Sequence, residues 1–182
     1  MNIFFQVWLK NIIFYFYKSY FLNIFLIFRN MEIIPHLWIA DFENYDDKRF
    51  LKDKKITTII NLSKYKNFSN TNAKMSIDEI RIPIEYDEET DSNEKINMLL
   101  YEYLFDITEY IHERVINMKN VLLVGYSSKE DINTVICAYF IRYAKIDVKE
   151  AIKYVKSKIE NSYLNKILFY HALNKFYNSN IK

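Results

Sequence analysis

From residue 31 onward the apolar positions are spaced, and the spacing changes along the chain. Residues 31–40, MEIIPHLWIA, read as two short β segments with Pro35 between them. Residues 46–53 read as a short charged helix with Phe50 and Leu51 turned inward. Residues 56–62, ITTIINL, are rich in β-branched side chains, which suits a buried central strand. Ile80, Ile82 and Ile84 alternate with other residues and predict a strand over 77–84. Ile96, Leu99, Leu100, Tyr103, Leu104, Ile107, Tyr110, Ile111 and Val115 recur at three-and-four spacing and predict a long helix. Val121 to Val124 form a continuous apolar run, ended by Gly125, the only glycine of the chain. A polar loop follows, and Ile132, Val135, Ile136, Tyr139, Phe140 and Tyr143 then trace a helical stripe. Two more helices are expected. One starts at Asp147, an N-cap with Glu150 three residues on, and runs through Val148, Ala151, Ile152, Val155 and Ile159. The other carries Leu164, Ile167, Leu168, Ala172 and Phe176. Residues 63–76, rich in Ser, Asn and Lys, and the acidic residues 85–94 read as loops. Strands early, then helices flanking a last strand, predict an α/β fold with a central mixed sheet flanked by helices.

Residues 1–30 follow a different rule. They hold no acid, only Lys10, Lys18 and Arg29 as charges, and apolar residues on all helical faces. As a membrane anchor, residues 11–28 are near the length needed to span, although Lys18 in the middle costs about 3 kcal/mol. No small-residue cleavage site follows, so a cleaved leader fits poorly. The second reading is an upstream extension of the gene, with Met31 the true start. The division expected is therefore a hydrophobic segment over 1–30 and one domain over 31–182.

Bulk properties remove several classes. The net charge is +2, and basic residues are interspersed with acids, so no nucleic-acid partner is expected. One cysteine, Cys137, excludes an internal disulfide and a Cys-rich zinc site. His36, His112 and His171 are scattered and match no metal spacing. No metal or cofactor is expected.

Residues 121–140, VLLVGYSSKEDINTVICAYF, are the stretch nearest to chemistry. Strand–loop–helix is how α/β folds build anion sites, because a helix N-terminus presents unpaired N–H groups and a partial positive charge. The words within and around this stretch resemble the dual-specificity phosphatase family. They are residues 33–40, IIPHLWIA; residues 56–63, ITTIINLS; Ile82-Pro83-Ile84 before the acidic loop; Ala138-Tyr139-Phe140-Ile141; and residues 150–156, EAIKYVK. The resemblance covers about residues 31–177 and implies the fold of that family.

It also implies where the family's site falls, and there the chain departs. The nucleophilic cysteine position is Gly125 and the preceding histidine is Val124. The loop continues as Tyr126, Ser127, Ser128, Lys129 and Glu130. The phosphate-binding arginine falls on Asp131 and the hydroxyl residue after it on Ile132. Glycine has no side chain to attack with, and aspartate repels the dianion that arginine would clamp. Asp131 is expected to act as the N-cap of the following helix, worth about 1 kcal/mol.

The general acid implied by the resemblance is Asp87, with Asp91 a second candidate, and neither has a reaction to serve without a thiolate. Cys137 lies on the apolar stripe and reads as a buried structural thiol. His171, at helical spacing with Leu168 and Ala172, reads as a core-edge residue. The expectation is a pseudophosphatase, a non-catalytic cytoplasmic domain binding a protein partner, with membrane contact through residues 1–30 if these are an anchor. The alternative is a divergent active phosphatase acting on phosphoproteins.

Overall fold

The computed structural model of the chain describes residues 30–41, 45–62, 75–82, 93–125, 130–159 and 167–180. Five strands form one sheet: β1 (Met31–Ile34), β2 (Leu37–Asp41), β3 (Ile56–Asn61), β4 (Asp78–Arg81) and β5 (Asn120–Gly125). Their spatial order is β1-β2-β5-β3-β4. β1 is antiparallel to β2, as a two-residue turn at Pro35 and His36 requires, and every other pairing is parallel. The sheet is therefore mixed, as expected. His36 takes a positive φ of 72° in that turn, and its Nδ1 donates to Asn120 Oδ1 at 2.7 Å, which ties the turn to the start of β5.

The helices are α1 (Lys48–Asp53), α2 (Asn93–Ile116), α3 (Glu130–Tyr139), α4 (Val148–Lys158) and α5 (Ile167–Asn180). α1 covers one face of the sheet, where Leu51 meets Ala40, Tyr45, Ile59, Leu122 and Val124. The other face carries the larger core. There Leu37, Ile39, Ile60, Leu62, Val121 and Leu123 pack with residues of α2, α3, α4 and α5. The alternation of a strand explains the division: Leu122 and Val124 point one way, Val121 and Leu123 the other. Central β5, buried on both faces, reads as an unbroken apolar run for that reason.

α3 is enclosed by the core, and residues 132–141 are all buried. The helical stripe through Tyr143 does not continue as a regular helix. Phe140–Ala144 widen into a π turn that ends on Lys145 in the left-handed region at φ 58°. Arg142 of this turn braces α2. It donates to the Phe105 carbonyl at 2.6 Å and to Thr108 Oγ1 at 3.1 Å, and meets Glu109 Oε2 at 3.0 Å. α4 begins as its sequence predicts: the Asp147 side chain accepts from the Glu150 N–H at 2.8 Å. Among the described residues no helix is long and apolar enough to cross a membrane.

Candidate functional site

Parallel pairing brings the C-terminal ends of four strands to one edge. Asp41 pairs with Gly125, Asn61 with Val124, and Asn61 with Arg81. The ladder extends past the strand ends, with Leu62 N–H donating to the Val124 carbonyl at 2.8 Å and Ile82 N–H to the Asn61 carbonyl at 2.9 Å. This is the edge where open α/β sheets place ligands. α3 starts there, with its N-terminal partial charge directed at the mouth.

Gly125 is buried and ends β5. A Cβ at this position would lie 2.8 Å from Ile132 Cγ1 and 3.0 Å from Ile132 Cδ1. Real Cβ atoms do not come that close, so the space above Gly125 belongs to the Ile132 side chain. Ile132 is itself 1% exposed and part of the main core. The two positions are complementary: the smallest residue stands where a branched apolar one leans in from the first turn of α3.

α3 begins at Glu130, so Asp131 sits inside its first turn and is not its N-cap. The expected cap is corrected by two residues, since position 129 precedes the helix, a shift within the spread of helix starts. A carboxylate in the first turn still meets the positive end of the dipole. Asp131 is half-buried, with its Oδ1 closed off from solvent. Tyr126, Ser127, Ser128 and Lys129 lie outside the described residues, as do Asp87 and Asp91 and the side chain of Glu130.

Cys137 is fully buried, and desolvation pushes its thiol far above the range where a thiolate forms. It lies six residues after Asp131, on a helix packed on all sides. The histidines do not converge. His36 is in the β1–β2 turn, His112 stacks on Tyr143 at 3.6 Å between ring centroids with its Nδ1 3.3 Å from Tyr139 Oη, and His171 is exposed. His171 thus corrects the expectation of a core-edge side chain. No group of His, Cys, Asp and Glu that would hold a metal occurs among the described residues.

Two buried polar residues on α3 escaped the sequence reading, Asn133 and Thr134. The apolar stripe hid them, because polar residues between its positions read as exposed. Among the described residues neither the amide oxygen nor the nitrogen of Asn133 has a hydrogen-bond partner.

Comparison with known proteins supports the architecture. No family profile and no curated relative matches the chain. Solved structures do. Human DUSP28 superposes with a TM-score of 0.67 at 17% identity over 82% of this chain and 93% of its own. A mouse putative dual specificity phosphatase complexed with zinc tungstate gives 0.67 at 19% identity over 82% and 87%. The human tyrosine phosphatase-like serine/threonine/tyrosine-interacting protein gives 0.68 at 16% over 84% and 98%. The fold is that of the dual-specificity phosphatases.

Proposed function

We propose that this chain is a non-catalytic member of the dual-specificity phosphatase family and works by binding a protein partner. The observation that carries this reading is the contact between Gly125 and Ile132. A cysteine-dependent phosphatase needs a thiolate at the end of β5 and an open cradle of N–H groups in front of it. Here the strand end has no side chain, and an alkyl group fills the place where one would begin. The position that resembles the family's arginine carries Asp131 in the first turn of α3, where its charge meets the dipole that would otherwise attract phosphate. Cys137 offers no substitute, since its thiol is buried and protonated. Among the similar folds, one is named as phosphatase-like and interacting, and this reading places the present chain in the same category of activity. Cytoplasmic location and a surface other than the loop for the partner belong to the same proposal.

The purified chain is expected neither to hydrolyse a small aryl phosphate nor to gain thermal stability from millimolar phosphate or vanadate. A rise in Tm with vanadate overturns the loss of anion binding. Turnover that disappears in Cys137→Ser with the fold retained overturns the non-catalytic reading altogether.

A further inference from the structure

We propose that the sheet edge bearing Gly125 faces a lipid bilayer at headgroup level, held there by the apolar residues that precede β1. The inference needs residues 1–30 to be an anchor and is independent of whether the loop is catalytic. It rests on where the chain enters the sheet. β1 is antiparallel to β2, with Met31 opposite Ile39, and Ile39 pairs with Leu123 of β5. Asn30 therefore lies level with Ala40 and Val124, beside the Asp41–Gly125 pair and not at the far end of the sheet. Only β2 separates β1 from β5, so two strand spacings of about 4.8 Å place Gly125 about 10 Å from the entry point.

The tether is short. Residues 11–28 are near the length that a span requires, with Lys18 their one charge, and only Arg29 and Asn30 lie between Phe28 and Met31. Three fully extended steps reach about 10 Å, little more than the headgroup layer on one side of a bilayer. Arg29 is the cation expected where a span meets the headgroups. Because Met31 is fixed in the sheet, the domain cannot turn its opposite edge to the membrane without unpairing β1. That opposite edge, at Lys119 and the turn at His36, stands about 17 Å further out, the length of β5. A phosphorylated protein side chain has no approach to the Gly125 edge in this orientation. The partner surface is then on the outward side, which includes the exposed Ile116 at the end of α2 and Met118 just after it.

The test uses the full chain in vesicles of phosphatidylcholine and phosphatidylserine. The one native thiol is buried, so a single introduced cysteine carries an environment-sensitive fluorophore alone. Arg81→Cys reports the Gly125 edge, with Ile82→Cys in its place if the first does not fold, and Lys119→Cys reports the far edge. Lipids with headgroup nitroxides are expected to remove most of the emission at position 81 and leave position 119 unchanged. Equal quenching at both positions, or quenching at 119 alone, overturns the orientation. Failure of the chain to float with the vesicles overturns the proposal at its premise. Either failure leaves the non-catalytic reading standing, because turnover and vanadate stabilisation are measured without lipid.

Discussion

The interior and the mouth of the β5–α3 unit lie within a few residues of each other and have been held to different standards. In the interior, Val121, Leu123, Val135, Ile136 and Ala138 are fully buried and packed against three further helices. At the mouth, Gly125 ends β5 without a side chain, and Ile132 fills the space where one would begin. Packing depends on volume and period, which many sequences satisfy. Catalysis depends on particular atoms at particular places. On the non-catalytic reading proposed above, a chain keeps the first without the second, provided the volume at the mouth is filled.

The largest expected effect is on the interior side. Phe176 of α5 is fully buried, with its ring 4.5 Å from that of Phe105 on α2. Phe176→Ala should cost about 3–5 kcal/mol, the range for a large buried aromatic. Urea unfolding followed by circular dichroism measures it. A cost below about 1 kcal/mol would mean that α5 is not part of the cooperative core.

At the mouth the complementary pair is testable as a pair. Gly125→Ala puts a methyl 2.8 Å from Ile132 Cγ1 and should cost about 1–3 kcal/mol through overpacking. Ile132→Ala should cost about 2–5 kcal/mol by leaving a cavity. The double variant should lose less than the sum of the two by about 1 kcal/mol or more, because the new methyl occupies part of the cavity. Additivity within about 0.5 kcal/mol would show that Ile132 swings aside freely and that the site is not held closed.

How much of this was legible in the sequence follows from the same contrast. Among the described residues each strand and helix overlaps the segment expected for it, because a buried face needs apolar residues at fixed intervals. The strand expected over 77–84 is limited to Asp78–Arg81, and Ile84 and Leu164 lie outside the described residues. The identity of the site was legible only through words such as residues 56–63 and 150–156 that resemble a family. The proposed loss of chemistry at Gly125 and Asp131 rests on that resemblance, position by position. The plug could not be read there: Gly125 and Ile132 are seven residues apart, and nothing in their spacing says that one fills the other's place. The π turn at Phe140–Ala144 was equally hidden, since its apolar spacing continues the stripe, and so was the reach of Arg142 across to α2.

Alkaline pH separates the interior from the mouth chemically. Cys137 keeps its proton in the fold well above the ordinary value near 9.0 because burial disfavours the thiolate. Below that pH both folded and unfolded chains hold the proton and nothing changes. Above it only the unfolded chain releases it, so stability falls by about 1.4 kcal/mol per pH unit. Burial likewise raises Tyr110, Tyr139 and Tyr143 above 10.0, which adds to the fall at still higher pH. Cys137→Ala should remove the part of the slope between pH 9 and 10 and leave the tyrosine part. Equal slopes in both proteins would mean that the thiol ionises in the native state.

The smallest effects compare two acids at two helix starts. Asp147 stands outside α4 and accepts from the Glu150 N–H, so Asp147→Ala should cost about 1 kcal/mol, the ordinary worth of a cap. Asp131 stands inside α3, two residues too late to cap it. Its charge meets the helix dipole, an effect of about 0.3–1 kcal/mol that salt screens. Asp131→Asn removes that charge and keeps the shape, so its cost should be the smaller of the two and should shrink in 1 M salt, while the cost of Asp147→Ala persists. If Asp131→Asn instead stabilises the protein and confers a vanadate-dependent rise in Tm, then the carboxylate alone was keeping anions out, and the plug at Gly125 contributes little to closing the site.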